Sequence, residues 1–330
     1  MLQLKNNTPF SAAFALFPNE QGVDTLYTMV KATFQIGPQW TLAKAQLKPQ
    51  QGDEYWGEPE TSSLRAASDY HIGKASTDIL MSGYAVAPHE QPVRQLDVKL
   101  SVGAISKTAR VFGDRIWDRG FISPPQVFTR MPLVYERAFG GKDLWDKQVR
   151  SSEARNPVGC GYAGKKSAED MQGMSLPNIE CPHELINHYN DCPVPTGFGP
   201  LAPGWSSRAQ YAGTYDDRWK EERAPYLPDD FNLRFLNTAA PDLIYPGFLQ
   251  GGETVSISGM HPNGDLEFNL PYVKLRNKIT LADTEKSFDF VLETLSLDPN
   301  QLQLSMSWRS AFVCDKQALK ISQIQVSLAR

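Results

Sequence analysis

The sequence predicts a mainly β protein, with antiparallel sandwich- or barrel-like blocks, a long Pro/Gly-rich ordered loop region and one or two short helices. Three observations lead to this prediction. Segments in which apolar and polar residues alternate recur at both ends of the chain, most plainly at residues 96–102. The links between these segments are too short for crossover helices. Between residues 124 and 250 lie 14 of the 24 prolines and 11 of the 24 glycines, which is typical of turns.

The N-terminal range, residues 1–123, is predicted to be an antiparallel β unit. Residues 9–17 are apolar, and we interpret them as an opening strand because no small-residue cleavage site of a signal peptide follows them. Residues 26–36 alternate cleanly until Gly37. The other strands of this unit are predicted at residues 40–47, 78–87, 96–102 and 108–112.

The central range, residues 124–250, is predicted to be a loop-rich segment that is ordered and packed on the sheets. Its many aromatic residues support order, because each such side chain buries roughly 150–250 Å² and disordered segments contain few of them. Short helices are predicted at residues 181–189, where Pro182 occupies the first helical position, and at residues 219–223. Ordered loops of this length usually carry function.

The C-terminal range, residues 251–330, is predicted to be a second antiparallel β unit. A turn with hairpin chemistry lies at residues 261–265, and another turn lies at residues 298–300. Alternating strands are predicted around these turns, at residues 255–257, 266–270, 272–281, 288–292, 302–308 and 324–328. The three ranges are expected to form one composite domain, since loops of this length stay ordered only when sheets support them.

Composition and charge argue against several classes of function. The chain has 330 residues, a hydrophobic fraction of 41% and a net charge of −4. A nucleic-acid-binding face normally leaves a basic surplus, so neither nucleic acid nor an anionic membrane is predicted as a partner. No apolar stretch approaches the roughly 18 residues of a membrane-spanning helix. Four cysteines do not make a disulfide framework, and the predicted location is the reducing cytoplasm.

Neither a metal nor a cofactor is predicted. The best candidate ligands are spaced more widely than in structural zinc sites, and they are Cys181, His183, His188 and Cys192. A capped turn would account for the sequence around Cys192 equally well. Residues 159–164 space three glycines, but the Lys-Ser/Thr pair of a phosphate-binding loop is misplaced.

No catalytic residue is predicted, and the protein is expected not to be an enzyme. Two pairs of carboxylates nevertheless lie beside aromatic residues, namely Asp216 with Asp217 and Asp229 with Asp230. Paired acids that flank a scissile bond would serve a carbohydrate-active hydrolase. Neighbours in sequence rarely converge on one bond, so turn capping and Arg–Asp pairing are the commoner role of such pairs.

Arginines and carboxylates recur directly beside aromatic residues, and we predict two roles for these sets. Arginine forms bidentate ion pairs and stacks on rings, so the first role is to tie the long loops to the sheets. The residues predicted to act as such anchors are Asp114, Arg115, Trp117, Glu136, Arg137 and Asn156. The second role is to contact a partner, because Trp, Tyr and Arg dominate interface hot spots. The residues predicted to contact a partner are Trp205, Arg208, Tyr215, Asp217, Arg218 and Trp219.

A series of short motifs spans most of the chain in a fixed order. The motifs are Asp69-Tyr70, Lys74, Thr77-Asp78, Gly83-Tyr84-Ala85, Ala87-Pro88, residues 112–117, residues 135–141, residues 156–159, residues 176–180, residues 213–216, Trp219, Pro225, Leu227-Pro228 and Asp230-Phe231. Together they resemble a bacterial family once named domain of unknown function 2169.

The resemblance implies an effector chaperone or adaptor of type VI secretion in a Gram-negative bacterium. Genes of this family typically lie beside genes for type VI secretion spikes and effectors. The implied partners are therefore a secreted effector and the spike protein or its PAAR-repeat tip. The family contributes no established catalytic residue. A carbohydrate-active hydrolase and a structural component of the spike complex are the alternative functions.

Overall fold

The computed structural model describes residues 2–37, 39–146 and 148–329, and it confirms that the fold is mainly β. The strands of the first part of the chain are Gln3–Asn6 (β1), Ser11–Pro18 (β2), Asp24–Gln35 (β3), Thr41–Leu42 (β4), Glu54–Tyr55 (β5), Leu64–Ala66 (β6), Asp78–Met81 (β7), Tyr84–Val86 (β8), Gln95–Val102 (β9), Ile105–Phe112 (β10), Trp117–Asp118 (β11) and Phe121–Ile122 (β12).

The central segment contains only short elements. They are Arg130–Pro132 (β13), Phe139–Gly140 (β14), Lys142–Trp145 (β15), Gln148–Ser152 (β16), Cys160–Gly161 (β17), Ile179–Glu180 (β18) and the helices Ser206–Ala209 (α1) and Asp217–Glu222 (α2). The last part of the chain contains Thr254–Ser258 (β19), Leu266–Asn269 (β20), Leu275–Leu281 (β21), Thr284–Asp289 (β22), Val291–Asp298 (β23), Gln303–Val313 (β24) and Ile321–Leu328 (β25). Short 3-10 helices lie at Pro88–Glu90, Tyr135–Arg137, Leu233–Leu236, Pro241–Leu243 and Asp315–Lys320.

The largest sheet has the strand order β2-β3-β24-β23-β7, and β4 pairs with the end of β3. Its neighbours are antiparallel except for β23 and β7, which are parallel. Strand β3 pairs with β24 from Thr25 opposite Val313 to Gln35 opposite Gln303. Side chains of β3 are buried on both faces because other parts of the protein cover both sides of this sheet.

A second sheet, with the order β18-β10-β9-β19-β20, shares one hydrophobic core with the largest sheet. Alternate residues of β9, such as Val98 and Leu100, contribute to this core together with Val30 and Phe34 of β3. The third sheet has the order β1-β25-β21-β22. It contributes to a smaller core cluster that includes Leu26 of β3.

The two ends of the chain build their sheets jointly. Strand β3 pairs with β24, β9 pairs with β19, and β1 pairs with β25. Each of these pairs joins a strand of residues 1–123 to a strand of residues 251–330. The central segment packs on the same main core through residues such as Tyr135, Phe198 and Trp205.

The prediction of a helix at residues 181–189 was wrong, because the structure forms turns and irregular backbone there. Carboxylates capture the backbone N–H groups that a helix would need: Ile186 donates to Glu180, and the N–H groups of Asn187 and His188 donate to Asp191. Such side-chain acceptors compete with helix formation. The helix predicted at residues 219–223 is confirmed as α2. Neither α1 nor α2, nor any other helix in the described ranges, is long and apolar enough to cross a membrane.

The strand predicted at residues 40–47 is limited to Thr41–Leu42. Beyond β4, the amide side chain of Gln46 takes the place of a strand backbone. Its Oε1 accepts a hydrogen bond from Thr33 N at 2.9 Å, and its Nε2 donates to Thr33 O at 2.8 Å. One side chain thus satisfies both backbone groups of a residue in β3.

Candidate functional site

Arg115 and Trp117 lie where the chain leaves β10 of the second sheet. The guanidinium of Arg115 is buried, donates to Pro177 O at 2.6 Å and pairs with the carboxylate of Glu180. It also stacks on the Phe112 ring, with 3.8 Å between the guanidinium carbon and the ring centre. Trp117 is buried in a small core cluster that it forms mainly with residues of the central segment. These contacts tie the chain after β10 to Pro177 and Glu180 and to the small core cluster.

Asp114 and Arg137 meet at Asn178. Arg137 donates to Asn178 Oδ1 at 2.9 Å, and Asn178 Nδ2 donates to Asp114 Oδ1 at 3.0 Å. The amide therefore bridges the two charged side chains, which are 3.4 Å apart at their closest atoms. This bridge joins three distant parts of the sequence.

Glu136 and Asn156 fix the turn of chain around β14. The carboxylate of Glu136 accepts hydrogen bonds from the backbone N and the hydroxyl of Ser63, both at 2.7 Å. Asn156 is fully buried and its Nδ2 donates to the carbonyls of Tyr135 and Phe139 at 2.8 and 2.9 Å. Side chains thus satisfy backbone groups that no sheet satisfies here.

The residues predicted to contact a partner fall into two groups. Trp205 and Arg208 lie in the protein interior, where only 5% and 7% of their surfaces are exposed. The exposed or half-exposed members of the set lie on and beside helix α2, and they are Tyr215, Asp217, Arg218 and Trp219. We call this region, residues 213–231, the α2 surface. Partner binding by these residues stays a prediction.

Local hydrogen bonds close the α2 surface into a defined loop. Gly213 adopts a φ of +82°, which favours glycine, where the loop begins. The N–H and hydroxyl of Thr214 donate to the two oxygens of Asp230, at 2.9 and 2.7 Å, and so tie the start of the loop to its end. Asp216 caps α2, since its Oδ1 accepts from Trp219 N at 2.8 Å.

Aromatic rings cover one side of the α2 surface. The rings of Tyr215 and Trp219 meet edge to face, with their centres 4.7 Å apart. The indole N–H of Trp219 donates to Tyr226 O at 2.8 Å. The Tyr226 ring lies against Gly22 in the turn between β2 and β3, where a larger residue would crowd it.

Arg223 fastens this loop to the largest sheet. Its Nη2 donates to Glu20 O at 2.7 Å, in the same turn between β2 and β3, and its Nε donates to Leu227 O at 3.0 Å. The guanidinium also pairs with Asp229 at 3.1 Å. The α2 surface is therefore positioned by a rigid sheet although it is built from loops.

Exposed charges surround the aromatic rings. Arg218 pairs with Glu222 and Lys220 pairs with Asp217, each at 2.8 Å. Both ion pairs lie in solvent, where such pairs stabilise a fold by only about 0–1 kcal/mol. These charges are consequently free to exchange partners at little cost.

Three of the four paired carboxylates of this region, Asp216, Asp229 and Asp230, line a cavity of about 260 Å³. Asp216 caps a helix, Asp217 and Asp229 form ion pairs, and Asp230 accepts two hydrogen bonds from Thr214. The hydrogen bonds from Thr214 hold the pKa of Asp230 below its usual range. A glycosidase acid requires a raised pKa, so this carboxylate is tuned in the opposite direction.

Among residues 2–37, 39–146 and 148–329, no cluster of His, Cys, Asp or Glu has the arrangement of metal ligands.

A buried network of charged side chains was missed by sequence reasoning. Asp78 is fully buried and accepts hydrogen bonds from Lys74 Nζ, Asn237 Nδ2 and both the N–H and hydroxyl of Thr238, at 2.6 to 3.0 Å. These contacts join the central segment to β7 of the largest sheet. Lys74 and Thr77-Asp78 stand among the sequence motifs, but the motifs gave no hint that these residues meet Asn237.

A second part of the network lies beside Lys74. Arg309 donates to Glu293 Oε2 at 2.7 Å. The ring of His71, of which 11% is exposed, lies between Gly73 N, 3.1 Å from Nδ1, and Arg309 Nη2, 3.2 Å from Nε2. Burial, and then the charges of Arg309 and Lys74, lower the pKa of His71 well below its usual value. The imidazole is consequently neutral near pH 7.

The fold and the α2 surface define a mainly β protein whose long central segment presents an ordered surface rich in aromatic residues. Residues 21–309 match a family described as "Uncharacterized protein conserved in bacteria (DUF2169)". Since the match covers most of the chain, the protein belongs to the DUF2169 family, as the sequence motifs suggested. Comparison with curated proteins and with solved structures gave no match.

Proposed function

We propose that the protein is a chaperone or adaptor of type VI secretion. In this role it binds and stabilises a toxic effector in the cytoplasm of the producing cell and helps to load it onto the spike tip. The protein covers an exposed apolar or charged face of the effector and releases it during assembly. Its second partner is the spike protein or the PAAR-repeat tip of the spike.

The α2 surface is the observation that supports this proposal. The rings of Tyr215 and Trp219 are partly exposed, yet the helix cap and the hydrogen bond to Tyr226 O hold them in place. Aromatic side chains that are fixed in advance lose little conformational entropy on binding. Tyr, Trp and Arg also dominate the hot spots of protein interfaces. The exposed charges of Asp217 and Arg218 suit the polar rim of such an interface.

Co-expression of the tagged protein with the product of the neighbouring effector gene tests this proposal. We expect the effector to co-purify with the unchanged protein and to be soluble only in its presence. In the double variant Tyr215→Ser, Arg218→Glu we expect the dissociation constant to rise by about thirtyfold, which corresponds to the loss of one hot spot of about 2 kcal/mol.

The variant Tyr272→Ser is a matched control, because Tyr272 is also an exposed aromatic residue but lies outside the α2 surface. We expect this variant to bind the effector as the unchanged protein does. If the double variant binds the effector as tightly as the unchanged protein, the α2 surface is not part of the interface. If no effector binds the unchanged protein and the chain instead stays in the assembled spike, the function is structural.

A further inference from the structure

Two cavities of the central segment adjoin each other and open to solvent. Their volumes are about 290 and 320 Å³, and Leu201, Ser207 and Pro241 line both of them. Because Ser207 of helix α1 lies between the two, we call them together the α1 groove. Val194 at the first cavity and Arg234 at the second are exposed, so both cavities are reached from outside.

Arg208 lines the second cavity of the groove, and its guanidinium forms no ion pair with any of the residues that the structure describes. Its Nε donates to Phe235 O at 2.9 Å, and its Nη1 donates to Leu201 O at 2.7 Å. Among the described residues, its Nη2 finds no acceptor and no carboxylate lies within ion-pair distance. Asp53 and Asp78 attract the guanidinium only from farther away, and burial lowers the pKa of Arg208.

Arg234 brings a second positive charge to the same cavity. Its guanidinium lies over the ring of Tyr211, 5.6 Å from the ring centre, and it has no ion-pair partner in the part of the chain that the structure describes. In that same part of the chain, no acidic side chain lines this cavity. Two arginines without counter-charges therefore give this end of the groove a positive potential.

The first cavity has a different character. Lys107 is buried there, but Asp242 pairs with it at 2.8 Å and neutralises its charge. Val194, Pro195 and Leu201 supply apolar walls. The first cavity consequently suits an apolar side chain, whereas the second suits an anion.

We propose that the α1 groove binds an extended segment of the partner protein, which places an Asp or Glu carboxylate against Arg208 and Arg234 and an apolar side chain in the cavity beside Lys107. This inference rests on the proposed function and specifies the chemistry of the partner. A carboxylate matches the fork of a guanidinium and supplies the counter-charge that a buried arginine otherwise lacks. Ser207, which lines both cavities, has a small side chain that leaves room for such a segment.

Selection from a random peptide library on the immobilised full-length protein tests the groove. We expect the enriched peptides to share an acidic residue close to an apolar one, and we expect replacement of that acid by its amide to weaken binding at least tenfold. The variant Arg234→Gln should lose a similar factor, because a hydrogen bond to a charged group is removed. The variant Ser207→Phe, which places a large ring at a position that lines both cavities, should abolish binding.

The variant Ala209→Phe is the matched control, since Ala209 is exposed on the same helix and lines neither cavity. It should bind the selected peptides as the unchanged protein does. Circular dichroism identifies any variant that fails to fold, and Arg234→Gln changes an exposed side chain and is expected to fold normally. Three results would each contradict peptide binding by the α1 groove. They are the absence of any enriched peptide, enriched peptides that lack an acidic residue, and variants Arg234→Gln and Ser207→Phe that bind as tightly as the unchanged protein.

The same variants separate this inference from the proposed function. If the effector binds Ser207→Phe as tightly as the unchanged protein, the α1 groove is not the binding site and the proposed chaperone function stands. If the effector does not bind the unchanged protein at all, the chaperone function itself fails. Loss of effector binding in Ser207→Phe but not in Ala209→Phe supports both.

Discussion

The sheets and the central segment are held in place by different chemistry. In the sheets, backbone groups satisfy one another, as in the eleven paired positions of β3 and β24. In the central segment, side chains satisfy the backbone instead, since Asn156 donates to two carbonyls and Arg208 donates to two others. A sheet distributes its stability over many bonds, whereas this segment depends on a few buried polar groups. Single substitutions at those groups therefore separate the two regions most clearly.

The largest expected effect is at Asp78, which joins the two regions. The variant Asp78→Ala leaves Lys74 buried without its carboxylate, and we expect the free energy of unfolding to fall by about 3–5 kcal/mol. Urea denaturation, followed by tryptophan fluorescence, measures this change. The double variant Lys74→Met, Asp78→Ala removes the stranded charge and should recover part of the loss. If the double variant is no more stable than the single one, the charge of Lys74 is not the cause.

An intermediate effect is expected from His71 as the pH falls. Its pKa is lowered in the folded protein, so the unfolded chain binds the proton more readily. The stability contributed by neutral His71 is complete above its unfolded pKa of about 6.5 and is lost below that pH, at up to about 1.4 kcal/mol per pH unit. The charged groups that face the ring are Arg309, Lys74 and Arg208, with Glu293 opposing them at 3.9 Å.

Urea denaturation at several pH values between 4 and 7.5 measures this dependence. The variant His71→Gln does not titrate, and we expect its stability to fall less steeply with pH than that of the unchanged protein. Identical slopes in both proteins would contradict a role for His71 and would assign the acid sensitivity to carboxylates elsewhere.

The smallest effect is expected on the α2 surface. The variant Arg218→Ala removes an ion pair whose arginine side chain is 77% exposed, and we expect the free energy of unfolding to stay almost unchanged. Calorimetry should consequently give nearly the same Tm for both proteins. A loss as large as that at Asp78 would mean that Arg218 supports the fold and does not belong to a binding surface.

The same contrast explains how far the sequence could be read. Strand β9 was predicted because a half-buried strand imposes a period of two on its side chains. The sequence of β24 alternates in the same way, although the structure buries both of its faces. The helix predicted at residues 181–189 failed because Glu180 and Asp191 bind its N–H groups, a contact that periodicity does not reveal. Residues that replace a backbone partner, such as Gln46, look like ordinary polar loop residues in the sequence.

The candidate site was predicted only in part, for a related reason. Pairs of arginine and aromatic residues indicated the α2 surface, and the structure places Tyr215 and Arg218 there in exposed positions. The same pattern also selected Trp205 and Arg208, which are buried, because arginine packs on rings inside a protein as readily as outside. Arg223 was missed, since its contact with Glu20 joins parts of the chain that lie far apart in sequence.

The pairing of β3 with β24 has a consequence for folding during protein synthesis. About 270 residues separate the two strands, so β3 emerges from the ribosome long before β24 has been synthesised. The apolar residues of β3, such as Leu26, Val30 and Phe34, have no sheet partner to cover them during synthesis. A protein that is proposed to guard others from aggregation thus passes through an interval in which its own longest strand needs the same protection.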